Sequence, residues 1–129
     1  MYAKTIEYTD FNGVERKENF LFNISEAEVI DLEMTTEEGY LEMLYRIIDA
    51  KDKTLLYKEF KRFITSSYGR KSEDGRAFLK KPEWTEEFMA TPAFSILISE
   101  LMSDANIAGE FITAILPKSK NNPVPAPVK

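Results

Sequence analysis

The stretch Ser67–Leu79, with the sequence SYGRKSEDGRAFL, divides the chain into two halves that are both rich in helical patterns. Apolar residues recur at helical spacing on each side of it, and the stretch itself lacks that spacing. It is charged, and glycine occurs twice within it. We predict that it is a connector, in which Gly69 ends the preceding helix in a left-handed conformation and Arg70–Arg76 form a loop.

Two amphipathic helices are predicted immediately before this connector. The nearer helix starts after Asp52, whose carboxylate can accept a hydrogen bond from an unpaired backbone N–H, and it ends near Tyr68. The other helix spans about Glu37–Ala50, with Thr35 or Thr36 as its cap. The residues predicted to face the core are Leu41, Leu44, Tyr45 and Ile48 in the earlier helix, and Leu56, Phe60, Phe63 and Ile64 in the later one.

Further upstream, residues 3–24 are predicted to form a β-hairpin. Thr5–Thr9 alternates in polarity, and Asn12-Gly13 supplies the positive φ angles that tight hairpin turns require. Two strands alone are marginal in water, so the hairpin must lie on the helical body or pair with another chain. Ser25–Glu28 then matches a capping box for a short helix that ends near Met34. The return strand is predicted to place Phe20, Phe22 and Ile24 on one face.

Three more helices are predicted after the connector. Pro82 stands in the first turn of one helix, where a missing N–H does no harm. Thr91-Pro92 is a cap followed by a first helical position, and Ser103 or Asp104 caps the last helix, which Pro117 stops. The residues predicted to face inward are Trp84 and Phe88 in the first of these helices, Phe94, Leu97, Ile98 and Leu101 in the second, and Ile107, Ala108, Phe111, Ile112 and Ile115 in the third.

Together these elements predict a mainly α fold of about five to six helices with an N-terminal β-hairpin. The length of 129 residues is that of one domain, to which we assign residues 1–117. Residues 118–129 hold three prolines and have no apolar periodicity. This composition predicts a disordered, Pro-rich tail that is dispensable for folding.

The residue inventory argues against catalysis. The chain has neither cysteine nor histidine, which removes thiol nucleophiles, imidazole bases and zinc sites of the Cys/His kind. Gly69 and Gly75 are one residue too far apart for a phosphate-binding loop, and no lysine followed by Ser or Thr comes after the second glycine. Glu73-Asp74-Gly75 lacks the alternating acids of a calcium loop. We therefore predict no catalytic residue, no cofactor and no metal site, and we expect that the protein is not an enzyme.

The net charge of −5 is unevenly distributed. Residues 1–45 carry 11 acidic and 3 basic residues, whereas residues 46–81 carry 11 basic and 5 acidic ones. One interpretation is a set of solvated helix faces. The other is a polar molecule whose acidic and basic ends meet in a neighbour, which favours self-association into head-to-tail oligomers.

Charge and hydropathy also bear on partners and location. The basic middle of the chain is interleaved with acids and the whole chain is acidic, so nucleic acid is not an expected partner. Every apolar run is far shorter than the roughly 20 residues that a membrane span needs. Because Met1-Tyr2-Ala3-Lys4 leads straight into a strand pattern, we expect no export signal. The absence of cysteine fits a reducing compartment. These features predict a cytoplasmic protein that does not contact a membrane.

The apolar stripes of the last three helices have two interpretations. They form the core, as their spacing suggests, or they form an exposed groove for a partner helix, which adaptable methionines such as Met43, Met89 and Met102 would line. Sequence alone does not separate the two. Under the second interpretation the candidate partner-binding residues are Phe88, Phe94, Leu97, Leu101, Phe111 and Ile115.

Six strings, in order and over nearly the whole chain up to Pro117, carry a family resemblance. They are Lys4–Gly13, Phe20–Ser25, the connector Ser67–Leu79, Trp84–Phe88, Thr91–Phe94 and Ala108–Pro117. The chain resembles the tail assembly chaperones of long-tailed (siphovirus-type) phages of Gram-positive bacteria.

The resemblance implies a non-catalytic protein that binds and solubilises the tape measure protein in the host cytoplasm while tail tube subunits polymerise around it. Such a protein is expected to be absent from the mature virion. A second hypothesis is a structural virion protein, such as a head–tail connector or tail completion protein. The two differ in whether finished particles contain the chain.

Overall fold

A computed structural model describes residues 1–34 and 39–117 of the chain. Within these ranges the chain forms six helices and four strands, so the predicted mainly α fold is broadly confirmed. In chain order the elements are β1 (Tyr2–Thr9), β2 (Glu15–Phe22), α1 (Glu26–Met34), α2 (Tyr40–Ala50), α3 (Lys53–Ser67), β3 (Tyr68–Lys71), β4 (Phe78–Leu79), α4 (Pro82–Met89), α5 (Pro92–Ser103) and α6 (Ala105–Ile115). The predicted tail, residues 118–129, lies outside the described residues.

The N-terminal hairpin is present as predicted. β1 and β2 pair antiparallel, with Tyr2 opposite Phe22 at one end and Thr9 opposite Glu15 at the other. Gly13 adopts a φ of 81° in the turn between them, which a residue with a side chain rarely adopts. The turn is closed by a 2.8 Å hydrogen bond from the N–H of Asp10 to the carbonyl oxygen of Val14.

The connector contains a second hairpin, and our prediction for it is therefore wrong in two respects. β3 follows α3 directly and pairs with β2 on one side and β4 on the other, so the sheet has four strands in the order β1-β2-β3-β4. Gly69 lies within β3 and is not a left-handed helix end. α3 ends at Ser67, and the residue that follows it, Tyr68, has an extended backbone. Arg70–Arg76 is accordingly not a simple loop, because it begins in one strand and turns into the next.

Gly69 is required for a different reason from the predicted one. A Cβ atom at this position would lie 2.3 Å from the carbonyl oxygen of Leu79, which is far inside van der Waals contact. The absence of a side chain therefore lets β3 and β4 approach each other.

Most predicted helix starts are confirmed by hydrogen bonds. Ser25 and Glu28 form the capping box reciprocally, with N···O distances of 2.8 Å and 3.1 Å. The side chains of Asp52, Thr91 and Asp104 each accept from a backbone N–H in the first turn of α3, α5 and α6. α2 begins at Tyr40, later than predicted, and its predicted caps Thr35 and Thr36 lie outside the described residues.

The core lies between the hairpin and the helices, and α5 is its central element. α5 packs against β1, α3, α4 and α6. Most residues that we predicted to face inward are buried, but Tyr45 is 39% exposed, and Ile47 is buried on α2 beside Leu44 and Ile48. Trp84 and Ile107 are only partly buried and pack at the margin of the core. The side chain of Leu41 lies outside the described part of the structure.

No helix within residues 1–34 and 39–117 has both the length and the apolar composition needed to cross a membrane.

Candidate partner-binding surfaces

The six candidate partner-binding residues lie in the core of the described structure. Phe94, the most exposed of them, is 8% exposed, and Leu97 and Ile115 are fully buried. The core interpretation of these stripes is therefore the one that the fold shows. Contact between a partner and these side chains would require α5 and α6 to move apart, and that contact stays a prediction. The buried set comprises Phe88, Phe94, Leu97, Leu101, Phe111 and Ile115.

Aromatic rings hold this core together across the sheet and the helices. Phe111 of α6 contacts Phe22 of β2 edge-on, at 5.4 Å between ring centroids, and Phe63 of α3 at 6.3 Å. Phe88 of α4 stacks on Tyr68 at 4.5 Å. Each aromatic pair contributes about 0.5–1.5 kcal/mol beyond the burial of its area. These rings fix the helices to the sheet, which is a structural role.

A shallow depression lies on the outer side of α6, beside α2. Its lining comprises small residues at a spacing of four, Ala105, Gly109 and Thr113, which we call its floor, Tyr45, which we call its rim, and also Asn106, Glu110 and Ala114. The hydroxyls of Tyr45 and Thr113 are 3.0 Å apart, in a hydrogen bond. A Cβ atom on Gly109 would meet nothing within 4 Å, so the floor is open. We call this surface the α2–α6 depression.

Our sequence reasoning missed the α2–α6 depression. The available signal was the repeat of small residues at every fourth position from Ala105, which marks one helix face with little side-chain volume. Because Tyr45 was predicted to face the core, its position at the rim of the α2–α6 depression was not predicted.

The tip of the first hairpin presents an exposed phenylalanine on a well-fixed turn. Phe11 is 85% exposed. Beneath it, Asp10 accepts hydrogen bonds from the backbone N–H groups of Asn12 and Val14 at 2.9 Å and from the guanidinium of Arg16 at 2.6 Å. The Arg16 guanidinium, together with these N–H groups, holds the pKa of Asp10 below its ordinary value.

The neighbouring strand residues extend this polar network. The hydroxyl of Tyr8 donates to Oε1 of Glu18 at 2.6 Å. This hydrogen bond favours the neutral phenol and raises the pKa of Tyr8 to about 12. Arg16 also pairs with Glu18, at 3.3 Å. The network stiffens the hairpin on the side that leads to the turn.

Helix α1 is attached to the rest of the protein mainly through one ion pair and two partly buried side chains. Nζ of Lys80 lies 2.7 Å from Oε2 of Glu28, and Val29 and Leu32 pack against the core. Partial burial raises the pKa of Glu28, but hydrogen bonds from Lys80 and Ser25 outweigh it and leave that pKa below its ordinary value. None of the residues of α1 is fully buried.

Two cationic side chains lie over the ring of Trp84. The guanidinium of Arg70 lies 4.5 Å from the centre of its ring and Nζ of Lys81 lies 5.1 Å from it. Arg70 also pairs with Glu87 at 3.4 Å. Because Arg70 belongs to β3 and Trp84 to α4, these contacts attach the second hairpin to the following helix.

The described residues contain no group of three or more acidic side chains that could hold a metal ion.

The buried hydroxyl of Ser67 donates to the carbonyl oxygen of Phe63 at 2.7 Å. That bond satisfies the polar group within its own helix.

The family model for phage tail assembly chaperones matches residues 1–123, which is nearly the whole chain. No curated protein sequence and no solved structure was found to match the chain.

Proposed function

We propose that this protein binds the tape measure protein and keeps it soluble during tail assembly, because the chain belongs to the phage tail assembly chaperone family. The family match over residues 1–123 is the observation that carries this proposal. The protein would act without catalysis in the bacterial cytoplasm, in a long-tailed phage of a Gram-positive host, with the tail tube protein as a second partner. It would be absent from the finished virion.

The physical need for such a protein follows from the client. A long amphipathic chain exposes apolar stripes until the tail tube encloses it, and exposed apolar stripes aggregate. A partner with a net charge of −5 can cover those stripes and keep the complex dispersed by charge repulsion. Many copies on one client would hold by avidity and still release one by one.

We place the client on the α2–α6 depression. An apolar helix can dock in a groove whose floor is made of small residues, because its backbone approaches closely there. Gly109 leaves that floor open, and Tyr45 offers an exposed aromatic ring at the rim. The predicted contact through Phe94 and Phe111 would need the core to open, so the depression is the more direct route for a folded protein.

The experiment is co-expression with the tape measure protein, followed by a pull-down at low and at high salt. The variant Gly109→Gln places a side chain in the α2–α6 depression, at a position where an added Cβ atom meets nothing within 4 Å. Ser99→Gln on the exposed side of α5 is its control. We expect Gly109→Gln to reduce recovery of the client about tenfold, equivalent to about 1.4 kcal/mol, and Ser99→Gln to leave it unchanged. Recovery should tolerate salt, since apolar burial drives it.

If the parent protein recovers no tape measure protein, the chaperone proposal fails. If purified virions contain the chain in fixed copy number, the structural alternative, a head–tail connector or tail completion protein, is favoured. Equal recovery by both variants and the parent would show that the client binds elsewhere than in the α2–α6 depression. The proposed function itself would not be contradicted.

We also propose that the protein self-associates. The acidic first third and the basic middle of the chain are stretches of opposite charge, and such stretches attract each other between neighbouring copies.

A further inference from the structure

Helix α1 has apolar residues on two opposite faces. Val29 and Leu32 face the core. Ala27, Ile30 and Met34 follow one another at i, i+3 and i+7 on the other side, where Ile30 is 59% exposed and Met34 81%. A helix that is apolar on both sides normally lies between two bodies. Only the inner body is supplied by the described part of this chain.

The charge of α1 indicates the chemistry of the second body. The helix carries four acidic residues and no basic one. Glu28 forms an ion pair with Lys80. Asp31 is exposed and is the next residue after Ile30, which belongs to the outer stripe. A surface that covers this stripe should therefore combine an apolar residue with cations.

The outer face of α3 has this composition. Leu55, Lys58 and Arg62 follow one another at i, i+3 and i+7, the same spacing as the outer stripe of α1, and Leu55 is 45% exposed. Neither cation takes part in an ion pair within residues 1–34 and 39–117. At a rise of 1.5 Å per residue, each stripe is about 10 Å long.

We propose that α1 of one copy docks on the outer face of α3 of the next copy. Ile30 and Met34 would cover Leu55, and Asp31 would lie near Lys58 and Arg62. The occupant of the stripe is thus a second copy of this chain, because the charges are complementary and the two stripes match in length. This inference rests on the self-association proposed above and names the surfaces that produce it.

The geometry has a consequence for the assembly. The two surfaces are different, so the contact is heterologous, and an assembly of any length keeps one unused surface at each of its two ends. Copies therefore add head to tail and do not stop at a dimer. Such an array suits a long client, since neighbouring copies would stabilise one another along it.

The test measures the mass of the purified full chain in the absence of any client, by sedimentation at increasing concentration in low and high salt. Ile30→Gln/Met34→Gln removes the α1 surface, and Lys58→Glu reverses charge on the α3 surface. The matched controls are Phe11→Gln, another exposed apolar residue, and Lys71→Glu, another exposed lysine. Circular dichroism verifies that every variant keeps the helical content of the parent.

We expect the mass of the parent to rise past that of a dimer in low salt and to fall towards that of a monomer in high salt, because the exposed ion pairs are screened. Each surface variant alone should remain a monomer, and both controls should behave as the parent. A mixture of the two surface variants should form a dimer and nothing larger, since one intact surface of each kind remains.

A parent that is monomeric at all concentrations, or that stops at a dimer, would overturn the proposal. So would surface variants that assemble as the parent does. Loss of client recovery by Ile30→Gln/Met34→Gln with no change in self-association would assign the stripe to the client instead. Because the client is absent from the mass measurement, failure of this inference and failure of the chaperone proposal are distinguishable.

Discussion

At the scale of single residues, Gly69 is the position where a side chain is least tolerated. We expect Gly69→Ala to lower the free energy of unfolding by about 1–3 kcal/mol, because its Cβ would overlap the carbonyl oxygen of Leu79. Gly109→Ala is the control, since its Cβ would meet nothing within 4 Å. This change should stabilise the protein by about 0.5–1 kcal/mol through helix propensity. Denaturant titrations followed by circular dichroism measure the free energy of unfolding of both variants. A Gly69→Ala protein as stable as the parent would contradict the close approach of β3 and β4.

A second prediction concerns the ionisation of Tyr8. The hydrogen bond to Glu18 raises the pKa of Tyr8 to about 12, above the ordinary value of about 10. The bond therefore stabilises the folded state below pH 10, and this contribution is lost as the pH rises towards 12. In an absorbance titration of the tyrosines, Tyr8→Phe should remove a component near pH 12. If the variant instead removes a component near pH 10, the hydrogen bond does not persist in solution.

Local and non-local residue roles differ in how well the sequence predicts them. The caps Ser25, Asp52 and Asp104 were predictable, because a cap bonds to backbone groups two or three residues away. Gly69 was not, because the atom that excludes a side chain there belongs to Leu79 on another strand.

At the scale of elements, the second hairpin could not be predicted from the sequence for the same reason. β3 has four residues and β4 two, too few to establish an alternating pattern. Ser72 and Asp74 bond to each other and to backbone groups of the turn, which is a local signal, but polar residues of this kind fit a plain loop equally well. The pairing with β2 is what makes this segment a strand, and that partner is distant in sequence.

For the partner-binding surfaces, the helical period identified stripes but not what covers them. Phe88, Phe94 and Phe111 lie on apolar stripes in either interpretation, and only the packing of α5 assigns them to the core. On α1 the inner and outer apolar residues alternate along the sequence and lie on opposite faces of the helix, so a single amphipathic face does not stand out. The outer stripe became visible only once Val29 and Leu32 were located against the core.

A third prediction concerns the attachment of α1. Because none of its residues is fully buried, opening this helix exposes little apolar area and costs little free energy. We expect its backbone amides to exchange with deuterium faster than those of α3, α5 and α6, measured at a concentration where the protein is monomeric. Lys80→Ala should accelerate exchange in α1 further, since it removes the ion pair with Glu28. Equal protection of α1 and α5 would contradict this picture.

At the scale of the whole molecule, the aromatic rings couple the sheet to α3, α4, α5 and α6. Phe111 contacts Phe22 on β2, Phe63 on α3 and Tyr2 on β1, and Phe88 contacts Phe20 and Phe94. A perturbation at one of these rings is therefore felt in several elements at once. This arrangement favours a single cooperative unfolding transition for the domain.

The last prediction tests that coupling with two phenylalanines of opposite burial. Phe111→Ala leaves a cavity between β2, α3 and α6 and should lower the free energy of unfolding by about 3–5 kcal/mol, since the ring is 4% exposed. Phe11→Ala, at a ring that is 85% exposed, should change it by less than about 0.5 kcal/mol. Circular dichroism of the helices and fluorescence of Trp84 should report one shared midpoint in each variant. A Phe111→Ala protein as stable as the parent but unable to recover the tape measure protein would show that this ring belongs to a groove, and that the packed core described here opens in solution.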